Sequence, residues 1–319
     1  MDYITKYDKL TKQTSYNNVT KHINNHGKEP PKSGQIKLLL SEILFLTKCA
    51  NDGDTVLYVG AGSPDQSDGT KVMGGNHIRI LLKLFPNLNW ELFDKGFIDV
   101  PNNPNVRKYQ RYFEDDDCQN YQKQNVLFIC DIRNIDIGKS KSIGKQIKDR
   151  LIKKEIEQDL SNIMSDDMQK QFKWCQLMNP KYAYLKFVLP YQSGKTTYFN
   201  GTLYLQQYIK FSTETRLLTN NYLDLIEYDN TIYEQKLAAF NLGPHLYYKS
   251  QRWQAIMNQY NLRNNYDNAG ALYIIEYYLR NKYKNINISD EMTVDLFLAM
   301  IKYLQKKINI KNNIIFNLK

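Results

Sequence analysis

A chain of 319 residues, 42% hydrophobic and 24% charged, is long enough to bury one enzyme-sized core, and this composition argues against disorder over most of its length. The formal net charge of +10 favours a polyanionic partner, nucleic acid first, though the same charge could serve solubility alone. No apolar run reaches the length of a membrane span, residues 1–12 are charged with no apolar core after them so that no signal peptide is expected, and the scattered Cys49, Cys118, Cys130 and Cys175 predict neither disulfides nor a metal site.

The first thirty residues are polar and end in Glu29-Pro30-Pro31, which disfavours continuous helix, so 1–30 reads as an N-terminal arm. From Gln35 the apolar residues Ile36, Leu39, Leu40, Ile43, Leu44 and Leu46 recur at helical spacing and put Lys37 in the first turn of an amphipathic helix. Asp52-Gly53-Asp54 breaks it. Residues 55–59 read as a buried strand closed by the turn cluster Gly60-Ala61-Gly62-Ser63-Pro64. The stretch 64–76 has no periodicity and is expected to be an exposed mobile loop, either a lid or a surface insertion. A helical period resumes over 77–85. Strands are predicted over 88–93, closing on Asp94, over 106–113, and over 125–129, closing on Asp131. A long charged helix over 147–178 ends at Asn179-Pro180, and 182–189, 202–209 and 215–218 read as further strands. Helical patterns follow near 232–240, 252–260, 271–283 and 290–308. Strands alternating with helices predict an open, doubly wound α/β sheet over 31–245, with a helical basic extension over 246–319 packed on the same domain.

Three features carry chemistry. In Val56-Leu57-Tyr58-Val59-Gly60-Ala61-Gly62, glycines stand where a strand ends and the backbone must turn beneath a ligand. Asp94, at the end of the next strand, is placed to accept hydrogen bonds from ribose hydroxyls, so the pair suggests a nucleoside cofactor without separating NAD from S-adenosylmethionine. Third, Lys186 interrupts the apolar strand Ala183-Tyr184-Leu185-Lys186-Phe187-Val188-Leu189, and a buried lysine needs a partner or a task. Taken singly, Lys37 and Glu214 read as surface residues and Asp131 as a helix cap.

The segments Gly34-Gln35-Ile36-Lys37-Leu38-Leu39-Leu40, Leu57-Tyr58-Val59-Gly60, His77-Ile78-Arg79, Asn89-Trp90 with Asp94, Asp131-Ile132-Arg133, Leu185-Lys186 and Glu214-Thr215-Arg216-Leu217-Leu218 run in order through the chain. Together they resemble the poxvirus cap-specific 2′-O-methyltransferase family, whose members double as the small, processivity subunit of the viral poly(A) polymerase. The similarity extends from about Tyr16 to Asn241. It implies a Rossmann-like S-adenosylmethionine-dependent methyltransferase fold and a catalytic tetrad of Lys37, Asp131, Lys186 and Glu214 acting on a ribose 2′-hydroxyl. In that tetrad Lys186 would take the hydroxyl proton only with its basicity lowered by partial burial and by Lys37, while Asp131 and Glu214 orient the two lysines. No metal is needed, because the sulfonium leaves as a neutral thioether.

By the same resemblance Gln35, Tyr58, Gly60, His77, Asp94 and Asp131 face the cofactor, with either Gly62 or Gly75 as the second glycine, since the loop after Gly60 is longer than the family's. A cap pocket is implied at Tyr191 and Tyr16, two rings to sandwich a methylated guanine, with Glu234 on the base edge. The family's second carboxylate position is held by Ser193, and Gln192 could substitute for it. Arg133 would hold an RNA phosphate. Lys302, Lys306, Lys307, Lys311 and Lys319, with no acidic residue after Asp295, read as a phosphate-tracking or polymerase-contacting surface, or as a solvated basic tail. Implied partners are a capped mRNA 5′ end and a poly(A) polymerase catalytic subunit, with no membrane. The implied location is cytoplasmic, in a viral factory or virion. Two rival readings remain: a non-catalytic processivity subunit that binds RNA, and a methyltransferase acting on another RNA or on a small molecule.

Overall fold

In the computed structural model, residues 6–12, 14, 33–62, 75–122, 124–132, 150–209, 212–245 and 248–306 are described. The strands are β1 (Thr55–Val59), β2 (Asn89–Phe93), β3 (Val106–Tyr109), β4 (Val126–Cys130), β5 (Tyr182–Phe187), β6 (Lys195–Phe199), β7 (Thr202–Tyr204), β8 (Thr215–Thr219) and β9 (Leu225–Asp229). The helices are α1 (Ser33–Cys49), α2 (Asn76–Leu84), α3 (Arg150–Met178), α4 (Asn230–Leu242), α5 (Gln251–Gln259), α6 (Tyr266–Lys282) and α7 (Asp290–Lys306). Seven strands form one sheet in the order β3-β2-β1-β4-β5-β8-β7, and β6 pairs with β9 in a separate ribbon. The first five strands of that order are parallel, β8 pairs antiparallel with β5, and β7 pairs antiparallel with β8 and so runs the same way as the first five. The predicted α/β sheet is therefore present.

A parallel sheet must be covered on both faces, and the period-2 alternation of its strands divides the core accordingly. Val56, Tyr58, Trp90, Leu92, Leu127, Ile129 and Tyr184 face α1, α2, α6 and α7. Leu57, Val59, Phe93, Phe128, Cys130, Leu185 and Phe187 face the other way, onto Met168, Trp174, Cys175 and Met178 of α3. Helix α1 is not the one-sided helix its spacing predicts. It is buried on nearly every side, because α6 packs across its outer surface. Asn265 starts α6 by accepting the Asn268 N–H, a cap worth about 1 kcal/mol.

Several boundaries shift for local reasons. The strand expected over 202–209 stops at Tyr204, and Tyr208 lies beyond it with a positive φ of 56° that no strand accommodates. The ribbon strands β6 and β9 escape the sequence pattern because β9 is mostly exposed and β6 buries only its last two residues, Tyr198 and Phe199, side by side, so neither strand alternates. Within the arm, Tyr7 and Leu10 are buried and Lys6 bridges to Tyr204. All four cysteines are buried free thiols. Among the described residues no helix is long and apolar enough to cross a membrane.

Candidate functional site

Register brings distant residues into one row. Val59 pairs with Phe93 on one side and Cys130 on the other, and Cys130 pairs with Leu185. One step further along each strand stand Gly60, Asp94, Asp131 and Lys186. Antiparallel β8 extends the row, because Lys186 pairs with Arg216 and cross-strand partners share a face. The chain winds outward from β1 through β2 to β3, and in the opposite direction through β4 to β5. The row thus lies at the carboxyl ends of the strands where their order reverses, the place at which open α/β sheets leave a crevice for ligands.

Helix α1 delivers Lys37 to this row, and Lys37 and Glu214 are both only 8% exposed. Lys37 Nζ donates to Glu214 Oε1 at 2.6 Å. Arg216, 1% exposed, donates to Asp131 Oδ1 at 2.6 Å, to the Cys130 carbonyl at 3.3 Å and to Glu214 Oε1 at 3.5 Å. The Gln206 amide fits between them in the orientation that satisfies both its atoms, its nitrogen 3.0 Å from Glu214 Oε1 and its oxygen 3.1 Å from Arg216 Nε. Burial alone would push the Asp131 carboxyl up, but Arg216 and then Lys186 outweigh it and hold Asp131 below the usual carboxylate range. All four predicted tetrad residues therefore stand in one electrostatic cluster.

Besides Gln206, two residues here have no role foreseen from the sequence. Arg216 is the buried cation, whereas Lys186, expected to be buried, is half-buried. The physical reason lies in the donor sets. Arg216 meets two carboxylates, a carbonyl and the Gln206 amide oxygen, four acceptors that a guanidinium's five N–H groups can serve and an ammonium's three cannot. The second is Gln171 of α3, 1% exposed. On the β4 side the pairing of β5 ends at Cys130 with Leu185, and Gln171 takes the next place along: its Nε2 donates to the Lys186 carbonyl at 3.0 Å and its Oε1 accepts the Lys186 N–H at 3.1 Å. Lys186 Nζ donates to the Ile132 carbonyl at 3.3 Å.

The other half of the row suits a nucleoside. Gly60 has φ of +92°, and a Cβ there would come within 2.7 Å of the Asp131 carbonyl oxygen, so only glycine lets β1 turn this close to β4. Asp94 accepts the Gly62 N–H at 2.8 Å and the Gly96 N–H at 2.7 Å, which fixes its carboxylate while leaving lone pairs for ribose hydroxyls. Gly75 begins α2 with φ of +81°. Tyr58 and His77, both buried, and the half-buried Gln35 join in one network: the Tyr58 hydroxyl lies 3.2 Å from His77 Nε2, and Gln35 Oε1 lies 2.9 Å from His77 Nδ1. These are the groups that could hold a cofactor.

Just before β8 begins, Thr213 donates through Oγ1 to the hydroxyl of Tyr191 at 3.4 Å, and Tyr191 is 44% exposed. The loop carrying Tyr191, Gln192 and Ser193 is fastened to the start of α4, because Asn230 donates through Nδ2 to the Gln192 carbonyl and through its backbone to the Gly194 carbonyl. Glu234 lies in the same helix start, half-buried, next to the fully buried Tyr233, whose hydroxyl donates to the Thr213 carbonyl at 2.6 Å. Thr14 of the arm donates its N–H to the Gln235 carbonyl. Lys302 is exposed on α7. Tyr16, Arg133, Lys307, Lys311, Lys319, most of the 64–76 loop and the side chain of Lys306 lie outside the described residues. A separate cleft of about 300 Å³ beside β2 and β3 contains its own ion pairs, Arg107 with Glu91 and Arg111 with Asp117, and shares no residue with the row.

Comparison with known proteins gives two findings. A family model described as poly A polymerase regulatory subunit matches residues 2–310. Among solved structures, the chain is similar to bluetongue virus VP4, whose structure is described as revealing a multifunctional RNA-capping production line, with 14% identity and a TM-score of 0.39. That match covers 67% of this chain and 32% of VP4, so it spans about a third of the larger protein.

Proposed function

Because this chain belongs to the poly A polymerase regulatory subunit family, we propose that it transfers methyl from S-adenosylmethionine to the ribose 2′-oxygen of the first transcribed nucleotide on capped mRNA, and that it also serves a poly(A) polymerase catalytic subunit. The observation that carries the methyl-transfer reading is the cluster of Lys37, Asp131, Lys186 and Glu214 around Arg216 at the strand ends.

S-adenosylmethionine would supply an electrophilic methyl group, and the chain's own residues do the rest. Gly60 and Gly62 let the backbone approach the nucleoside, and Asp94 takes the ribose hydroxyls. Asp131 presents a carboxylate kept ionised by Arg216. Lys186, anchored through its backbone by Gln171, aligns the RNA 2′-hydroxyl and stabilises the negative charge that develops on its oxygen as the oxygen takes the methyl and the hydroxyl proton passes to solvent water. Lys37 and Glu214 pair with each other and keep the neighbouring charge fixed during that change. Tyr191 and Glu234, on a loop and helix fastened together by Asn230, are the groups we assign to the cap, with Tyr16 and Arg133 as further contacts. Ser193 supplies no carboxylate, which predicts a weaker grip on the methylated base. The reaction would take place in the cytoplasm.

The test is to incubate capped and uncapped short RNAs with labelled cofactor, comparing the natural protein with Lys186→Ala. Cap-dependent labelling that disappears in the variant supports the reading. Equal labelling of uncapped RNA sinks the cap-specific part. The family description names a regulatory subunit rather than an enzyme, so a second reading is a non-catalytic processivity subunit. Tight oligo(A) binding without any labelling would favour it.

A further inference from the structure

Next to the row lies a carboxyl group that the proposed reaction does not use. Helix α1 turns Glu42 inward until it is 1% exposed. Its Oε1 accepts the Tyr58 hydroxyl at 2.6 Å. Its Oε2 has no hydrogen-bond partner among the described residues and lies 3.4 Å from His77 Nε2. The other ring nitrogen decides where the imidazole proton sits. Gln35 Oε1 receives the His77 backbone N–H at 3.4 Å and lies 2.9 Å from Nδ1. An amide oxygen only accepts, so Nδ1 carries the proton and Nε2 offers a lone pair. A lone pair facing a carboxylate oxygen across 3.4 Å in a buried site is repulsive, and one proton on Oε2 converts that repulsion into attraction.

We infer that Glu42 holds a proton on Oε2 in the folded protein and is thereby a positioning residue for cofactor binding, fixing the ring of His77 and through it Gln35. The inference rests on the reading of Gln35, Tyr58 and His77 as cofactor-facing. The charged and titratable surroundings agree with it. Burial, only partly offset by the Tyr58 hydrogen bond, pushes the Glu42 carboxyl up to about 8. Burial pushes His77 down to about 4, so the shared proton rests on Glu42. Glu42 is faced by Lys37 from its own helix, Tyr58 from β1, His77 from α2, Asp131 beyond β4, Tyr184 from β5 and Arg216 from β8. Arg216 and Lys37 favour the carboxylate and Asp131 opposes it. Loss of the proton would force His77 to move its own proton to Nε2 or turn its ring. Either change withdraws the donor from Gln35.

The test is calorimetric titration of the full chain with S-adenosylhomocysteine, whose uncharged thioether removes any direct attraction between a sulfonium and Glu42. Between about pH 6.5 and about pH 8.5 the natural protein should lose about fourfold in affinity, the reduction expected when a state with a pKa near 8 is the binding-competent one. In Glu42→Gln the amide nitrogen donates to Nε2 and its oxygen accepts from Tyr58, so the affinity should be flat over that range. Glu42→Ala should bind more weakly at every pH. A flat profile in the natural protein, or a Glu42→Gln profile that follows the natural one, overturns the inference while leaving the cofactor reading standing. Failure of the natural protein to bind at any pH overturns both. The natural profile needs no variant to fold.

Discussion

Replacing Arg216 by alanine removes the cation on which two buried carboxylates converge. Arg216 holds Asp131 at 2.6 Å and Glu214 at 3.5 Å. Removing one member of a buried ion pair costs about 3–5 kcal/mol, because the partner is left charged and unsolvated. Glu214 keeps Lys37 at 2.6 Å, so the loss falls on Asp131 and the lower half of that range is expected. The cost should also depend on pH. In the natural protein Asp131 has its folded pKa held down, so its contribution is present above the unfolded value of about 3.9 and is lost only as pH falls through the folded one. Without Arg216, burial dominates and raises the folded pKa above the unfolded one, so an ionised Asp131 then opposes folding at neutral pH and protonation relieves it. The difference between variant and natural protein should therefore be largest near pH 7.5 and shrink toward pH 5. Urea unfolding followed by tryptophan fluorescence measures it, since Trp90, Trp174 and Trp253 are all buried. A difference under about 1 kcal/mol, or one equal at both pH values, would refute the argument. Arg216→Lys should recover only part of the loss, because one ammonium cannot reproduce the forked contacts.

Three further outcomes follow from the same geometry. Gln171→Ala should lower the turnover of methyl transfer by about 10- to 100-fold while cofactor affinity stays within about twofold, since only the placement of Lys186 is disturbed; an unchanged turnover in a steady-state assay would show that Lys186 needs no such anchor. Gly60→Ala should destabilise the fold by at least about 1–2 kcal/mol, read by urea unfolding, because φ is +92° and the added Cβ would meet the Asp131 carbonyl at 2.7 Å. If the net charge of +10 serves RNA, a plot of log affinity for single-stranded RNA against log salt should fall with a slope of about −0.7 for each phosphate contacted, and a flat plot would remove RNA from the argument.

The sheet was legible where burial was complete. β1, β4 and β5 are apolar runs because a parallel strand is covered on both faces, and that run length cannot be mistaken for a turn or a short surface segment. β6 and β9 were not legible, because they pair with each other in a ribbon in which β9 mostly faces water and β6 buries two consecutive residues, Tyr198 and Phe199, so neither carries alternation. The one-sided character expected of α1 failed for a different reason. The stripe toward the sheet is in the sequence, but the apolar cover that α6 lays over the opposite side comes from the other end of the chain.

Within the site, the chemistry that marks Lys186 marks Arg216 as well. A cation interrupting an apolar strand signals a buried charge, and Thr215-Arg216-Leu217-Leu218 carries the same signal one strand over, in a segment where every residue is buried. Register makes the two cations neighbours, and only one of them can be fully enclosed with its charge matched. The guanidinium, with its several donors, takes the enclosed place between Asp131 and Glu214, and the ammonium is left at the accessible margin. Lys37, Lys186 and Arg216 then face two carboxylates, Asp131 and Glu214, and the cluster keeps one net positive charge. Lys186 is the least buried of the three cations, so it is where that excess meets an incoming ribose oxygen. An ionised Glu42 would cancel the excess, since it feels Arg216 and Lys37 directly. Keeping Glu42 protonated therefore preserves the field on which the proposed reaction depends as well as the wall of the cofactor site.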